Sequence, residues 1–112
     1  MANFQTVTAV KLGQAATTTG YVTLYTTPAL SKTYVKQFDI SNTSATPATF
    51  YIHIIPTGGT AGTGNALFYN APISGNTTVQ WSGIAVMNAG DFIQVKGSGT
   101  TCAITASGGE AV

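Results

Sequence analysis

The run from Ala48 to Pro56 constrains the fold of this chain more than any other stretch. From position 50 onward, two sets of residues alternate: one set is wholly apolar, and the other includes rings that bear polar groups. The apolar set is Phe50, Ile52 and Ile54, and the other set is Tyr51, His53 and Ile55. Because successive side chains of a β-strand point to opposite faces, this pattern predicts a strand with the apolar set on the core and the other set outward. Pro56 lacks an amide proton and ends the strand.

Short alternating runs of the same kind recur along the chain, with turn-forming residues about every ten positions and no helical periodicity. Two of them predict clear faces. Phe38 and Ile40 point inward in one run, and Tyr21 and Tyr25 point outward in another. The spacing predicts an all-β fold: a single antiparallel β-sandwich, jelly-roll or immunoglobulin-like, of eight to nine short strands.

The chain of 112 residues is long enough for one domain with its own core. Residues 1–12 alternate weakly and are interpreted as an N-terminal arm or first strand, and residues 13–112 as the sandwich. Turn formers crowd the segment 42–47, so the strands on either side of it are expected to form a hairpin-like pair. The Gly/Thr-rich segment 58–64 is interpreted as a flexible loop between strands.

Composition excludes several kinds of partner. Charged residues make up 6% of the chain, there is no arginine, and the net charge is +1. Phosphate contacts need clustered basic residues, so neither nucleic-acid binding nor electrostatic membrane binding is expected. The single cysteine, Cys102, is expected to be a small buried residue. No signal-peptide pattern precedes the first strand, which predicts synthesis in a host cytoplasm.

Residues for catalysis are few. His53 is the only imidazole, and no nucleophile-elbow sequence occurs. The three carboxylates lie far apart in the sequence, so neither a paired-carboxylate site nor a protein-only metal site is expected. The glycine-rich loop lacks the Gly-Lys-Ser/Thr of a phosphate-binding loop. The chain is therefore not expected to be an enzyme, and no cofactor is implied.

The outward aromatic residues are the candidate binding residues. Tyrosine is enriched at subunit interfaces, so the candidate interface comprises Tyr21, Tyr25, Tyr51 and His53. Two alternatives remain open for the tyrosines. They cover a sheet face, or they stack on sugars as in a carbohydrate-binding module.

The order and spacing of several short motifs resemble small β-sandwich virion proteins of tailed bacteriophages, of the head-decoration, head-fibre or tail-associated type. The resemblance extends over residues 10–97, and its motifs are structural. They are Leu24-Tyr25-Thr26-Thr27-Pro28, Ile40-Ser41-Asn42-Thr43, Tyr51-Ile52-His53-Ile54-Ile55-Pro56-Thr57-Gly58-Gly59, Val79-Gln80-Trp81-Ser82-Gly83 and Ala89-Gly90-Asp91-Phe92-Ile93-Gln94-Val95. The last motif also resembles a turn of other jelly-roll modules, in which Gly90 takes a positive φ and Asp91 caps the turn.

The resemblance implies a bacteriophage virion structural protein, first of all a capsid decoration protein that binds and stabilises the assembled shell as a homo-oligomer. The oligomer that it implies is a homotrimer, with the major capsid protein or another virion protein as partner and the virion as location. The alternatives are a tail or baseplate component and a carbohydrate-binding adhesion module of a phage fibre. The family supplies no catalytic residue to carry over.

Overall fold

A computed structural model, which describes residues 7–111, consists of eight β-strands in two four-stranded antiparallel sheets. The strands are β1 (Val7–Ala16), β2 (Val22–Thr26), β3 (Lys32–Asn42), β4 (Ala48–Ile55), β5 (Ala66–Ile73), β6 (Thr78–Met87), β7 (Phe92–Gly97) and β8 (Cys102–Ala111). A single 3₁₀ turn, Thr63–Asn65, precedes β5. Within these residues, no helix has the length and apolar character needed to cross a membrane.

The order of the strands identifies the fold as a jelly roll. One sheet, here called the groove sheet, has the order β1-β8-β3-β6, and the other, the platform sheet, has the order β2-β7-β4-β5. In this part of the chain only β4 and β5 are consecutive strands of one sheet, and every other connection crosses between the sheets. Eight strands wound in this way form the double-sheet jelly roll. The predicted β-sandwich is confirmed, and of its two variants the structure has the jelly roll.

The core fills the space between the sheets, and the predicted inward positions of β3 and β4 are confirmed at its centre. At the end of β4 the predicted alternation is wrong, because Ile55, placed outward, is fully buried and Ile54, placed inward, is only half-buried. Phe38 and Ile40 of β3 and Phe50 and Ile52 of β4 are all fully buried. Cys102 is also buried, as expected for a small apolar side chain. Fully burying an aliphatic or aromatic side chain contributes about 1.5–3 kcal/mol to the free energy of unfolding, so these residues supply much of the stability of the fold.

The expected hairpin of β3 with β4 is wrong, because these two strands belong to opposite sheets. The turn formers of residues 42–47 instead build a crossing that Asn42 organises. Its buried amide donates to the carbonyl of Thr46 at 2.9 Å, and its Oδ1 accepts from the amide of Ser44 at 3.1 Å. Local turn chemistry therefore marks the bend and does not determine which strand pairs with which.

The predicted Gly90–Asp91 turn is confirmed. Gly90 has a φ of 86°, in the left-handed region that favours glycine. Asp91 Oδ2 accepts from the amide of Asn88 at 2.9 Å, and its Oδ1 accepts from the amide of Thr57 at 3.1 Å. One carboxylate thus caps this turn and also fixes the start of the loop that follows β4.

The interpreted boundary between an arm and the sandwich falls inside β1. This strand pairs with β8 from Val7 to Ala16, with a bulge at Leu12. The Leu12 side chain is buried in the core. Residues 7–12 thus belong to the groove sheet as its edge strand, and residues 1–6 of the interpreted arm lie outside the described residues.

Candidate functional site

A row of aromatic side chains crosses the outer face of the platform sheet. Tyr21 lies directly before β2, Tyr51 is on β4 and Tyr69 is on β5. Lys96 of β7 completes the row, since β7 lies between β2 and β4 and Lys96 pairs directly with Tyr51. These four residues are called the tyrosine platform below.

The rings of the platform hold each other in edge-to-face contacts. Tyr51 meets Tyr69 with ring centroids 5.1 Å apart and Tyr21 with centroids 6.4 Å apart. The Lys96 ammonium lies 4.4 Å from the centroid of the Tyr51 ring and 4.7 Å from that of Tyr21. Cation–π contacts of this kind contribute about 0.5–1 kcal/mol each at exposed sites. The platform is therefore preorganised.

His53 lies on the predicted outer face, but within the described chain it is fully buried rather than exposed. Tyr21 and the 3₁₀ turn cover it. Its Nδ1 is 2.8 Å from Asn65 Oδ1, and its Nε2 is 3.0 Å from the Tyr21 hydroxyl. The Asn65 oxygen also accepts from the amide of Gly62, so Nδ1 of a neutral His53 carries the proton and Nε2 accepts from Tyr21. His53 thus supports the platform from below.

The same contacts fasten the glycine-rich loop that was interpreted as flexible. Asn65 donates through its Nδ2 to the carbonyl of Thr60 at 2.8 Å, while its Oδ1 binds the amide of Gly62 and the His53 ring. One amide side chain therefore ties two points of the loop, Thr60 and Gly62, to His53 of β4. The loop is thus fastened at His53, whose ring in turn contacts the platform residues Tyr21, Tyr51 and Tyr69.

Tyr25, the fourth candidate interface residue, does not join the platform. Its predicted outward orientation is wrong because β2 contains a bulge at Leu24, which inserts one extra residue between Thr23 and Tyr25. After the bulge Tyr25 pairs with the buried Ile93 and faces the core. Its hydroxyl hydrogen-bonds to Thr33 at 2.9 Å and donates to the carboxylate of Glu110, so it bridges the two sheets.

The pKa of Tyr25 predicts a loss of stability at high pH. Burial, and after it the hydrogen bond to Glu110, raise the pKa of Tyr25 from 10.0 to about 12. Below pH 10 both the folded and the unfolded states keep this proton, whereas above it the unfolded state ionises first. The free energy of unfolding should therefore fall as the pH rises from 10 to about 12.

Urea unfolding across this pH range measures the effect, with Tyr25→Phe as the matched variant. The variant should lose less stability than the wild type between pH 10 and about 12. An equal loss in both proteins, or spectrophotometric titration in which all 5 tyrosines ionise together at the ordinary pKa, would contradict the assignment.

The site presents an aromatic contact surface. Both His53 nitrogens are occupied by hydrogen bonds, and the three exposed or half-exposed rings present apolar faces with hydroxyl edges. Cys102 lies away in the core, where burial raises the pKa of its thiol. Among residues 7–111, no three His, Cys, Asp or Glu side chains form a group that could hold a metal ion.

The sequence predicted two members of the platform, Tyr21 and Tyr51, and its neighbour His53, but the other two members were missed. Tyr21, Tyr51 and His53 were predicted as interface residues and do lie together. Tyr69 and Lys96 were missed because they come from separate strands, β5 and β7, whose order in the sheet is set by the jelly-roll winding. Lys96 could have been identified from the sequence, because it is the only charged residue of the four platform-sheet strands.

Comparison with known proteins gives little beyond the architecture. No protein-family model matches the sequence, and no curated protein matches it. Among solved structures, the chain is similar to one described as the structure of infectious bursal disease virus Gx strain, with a TM-score of 0.47 and 14% identity over 95% of this chain and 31% of that one. The corresponding structure of the Gt strain has a TM-score of 0.44 and 11% identity over 95% of this chain and 30% of that one. The chain thus spans about a third of the length of these solved chains, and the fold assignment above rests on the order of its own strands.

Proposed function

We propose that this protein is a structural protein of a bacteriophage virion, specifically a capsid decoration protein that binds and stabilises the assembled shell as a homo-oligomer. Its work is binding rather than catalysis. The tyrosine platform is the surface that contacts the major capsid protein or another virion protein. The trimeric form is implied by the resemblance of the sequence motifs alone.

The observation that carries the proposal is the preorganised and exposed platform. Tyr69 is 56% exposed and Tyr21 is 39% exposed, yet both rings are held by neighbouring rings. Ordering a mobile side chain on binding costs about 0.5–1.5 kcal/mol, and rings already held in place avoid most of that cost. Tyrosine is also enriched in the cores of protein interfaces, where its ring is buried and its hydroxyl finds a partner.

Charge and fold support the same role. With charged residues at 6%, the surface has little charge to desolvate against a partner and little to keep isolated copies apart. Many copies on a fixed lattice convert weak single contacts into firm attachment through effective concentration. The double-sheet jelly roll also occurs in viral capsid, lectin and cupin domains, which is an analogy of fold only.

Binding to purified particles of the source virus tests the proposal. The wild-type chain should co-sediment with the particles, and Tyr69→Ala should weaken its affinity by about 30-fold, the effect of losing one hot-spot ring of about 2 kcal/mol. Tyr69→Phe keeps the ring and should retain most of the binding. Leu30→Ala, at a 93% exposed residue outside the strands, should change nothing. A wild-type chain that stays in the supernatant with every particle preparation would refute the proposal.

A second candidate is a carbohydrate-binding adhesion module of a phage fibre, and the exposed faces of Tyr21 and Tyr69 favour it because such faces can stack on sugar rings. A glycan array distinguishes the two. An adhesion module should bind glycans on the array, and Tyr51→Ala should abolish that binding. A decoration protein should bind none of the glycans. Immunogold labelling of particles distinguishes a head location from a tail or baseplate component.

A further inference from the structure

Lys96 is the one charged residue of the tyrosine platform, and it lies between two of the rings. Its strand β7 runs between β2 and β4, and Lys96 pairs with Tyr51 on the β4 side. On the β2 side Val95 pairs with Val22, which places Lys96 beside Tyr21, the residue directly before β2. A partner that covers both Tyr21 and Tyr51 therefore also covers Lys96.

No carboxylate within residues 7–111 compensates this ammonium group. The four strands of the platform sheet contain no acidic residue. The chain has three carboxylates, and each is engaged elsewhere. Asp91 holds backbone amides at its turn, Glu110 accepts from a tyrosine between the sheets, and Asp39 accepts from a glutamine of its own strand β3. The Lys96 ammonium lies instead over the faces of two rings.

Ring faces alone do not compensate an ammonium group that a partner covers. While the platform faces water, the ammonium is hydrated and the rings add a modest attraction. A partner that covers the platform removes this water, and a charge buried without a counter-charge is strongly disfavoured. The covering surface therefore has to supply a negatively charged acceptor. A carboxylate does so through short, charge-assisted hydrogen bonds from the N–H groups of the lysine.

We propose that the protein bound by the platform presents an aspartate or glutamate side chain that pairs with Lys96, surrounded by apolar groups that cover the three tyrosine rings. The inference rests on the proposed function and adds the chemistry of the partner surface. A surface with an apolar or basic residue at this point would leave the ammonium buried and unpaired. The contact therefore selects both the partner and its orientation on the platform.

A carboxylate is favoured over a phosphate because the platform offers a single cation. Phosphate-bearing partners are bound by clusters of basic residues. The other three lysines of the chain all belong to strands of the groove sheet, Lys11 to β1 and Lys32 and Lys36 to β3. One ammonium group between tyrosine rings matches one carboxylate.

Co-sedimentation of the full chain with purified phage particles tests the contact through a series of variants at one position. Lys96→Met keeps an apolar stem without the charge and should weaken binding by about 30-fold, whereas Lys96→Arg keeps the charge and should stay within about threefold of the wild type. Lys96→Glu should weaken binding further through like-charge repulsion. The matched control is Lys36→Met, the same change at an exposed lysine that borders the shallow groove of the other sheet, and it should leave binding unchanged.

Salt provides a readout that would not respond if Lys96 only supported the rings. Raising the NaCl concentration from about 50 mM to about 500 mM should weaken binding of the wild type and of Lys96→Arg about fivefold, and it should leave Lys96→Met nearly unchanged. If Lys96→Met fails to fold by circular dichroism, Lys96→Gln takes its place in both measurements.

Three results would overturn the proposal, and they differ in what they say of the proposed function. Particle binding that survives the loss of the Lys96 charge, or that salt weakens equally in the variant and the wild type, refutes the carboxylate contact and leaves the proposed function standing. A wild-type chain that binds no particles refutes both. Binding of carboxylate-bearing sugars on a glycan array, lost in Lys96→Met, assigns the contact to an acidic glycan in place of a protein.

Discussion

Gly108→Ala should destabilise the folded protein by about 3 kcal/mol or more, at the upper end of the effects of overpacking. A Cβ atom at Gly108 would overlap the carbonyl oxygen of Tyr34 and would lie 3.1 Å from the amide nitrogen of Lys36. Both are backbone atoms of β3, so no side-chain rotation relieves the contact. The strands β8 and β3 must move apart, and their pairing joins the two central strands of the groove sheet.

Urea unfolding of Gly108→Ala measures this effect, with Gly99→Ala as the matched control. A Cβ at Gly99 meets no atom within 4 Å, so the control should keep the wild-type stability or gain a few tenths of a kcal/mol from a less flexible unfolded chain. Equal stability of the two variants would show that β8 and β3 do not approach as closely as described.

His53→Ala should lower the free energy of unfolding by about 2–4 kcal/mol, from the lost packing of a buried ring and the loss of its two hydrogen bonds. The variant leaves the Asn65 carbonyl oxygen and the Tyr21 hydroxyl without their shared partner. Both groups lie at the platform, so the effect should extend beyond global stability. The segment of residues 58–65 should detach from β4, whereas Thr57 stays bound to Asp91.

Amide hydrogen exchange provides the local measurement. In His53→Ala the amides of residues 58–65 should exchange faster than those of β3, when both are compared with the wild type. His53→Phe separates the effect of lost packing from the effect of lost hydrogen bonds, since it restores a ring of similar size without the nitrogens. It should recover part of the global stability while the loop stays unprotected. Unchanged protection of the loop in both variants would contradict the role of His53 as its anchor.

The core of this fold could be predicted from the sequence because inward and outward positions alternate visibly there. Phe38, Ile40, Phe50 and Ile52 are buried as their pattern predicts, and the Gly90 turn has the predicted backbone conformation. These features depend on neighbouring residues only. Alternation and turn chemistry are local properties of the sequence. In a β-sandwich they determine which side chains point into the core and where the strands end.

The parts that could not be predicted depend on distant residues. No residue pattern around Leu24 predicts the bulge that turns the Tyr25 side chain inward. His53 is on the outward face as predicted, but it is covered by Tyr21 and by the 3₁₀ turn whose Asn65 lies 12 residues later. The platform likewise joins four elements whose order is set by the winding of the whole chain. The sequence therefore predicted three residues that lie together, Tyr21, Tyr51 and His53. It did not predict the full set of residues that forms the tyrosine platform.

Electron cryo-microscopy of the phage particles to which the chain is proposed to bind tests most directly whether this protein works as a bound structural element. We expect repeated density for the jelly roll on the particle, with the rings of Tyr21, Tyr51 and Tyr69 buried against a neighbouring protein. Particles that lack this density, together with a purified chain that binds neither them nor the shell protein, would contradict it.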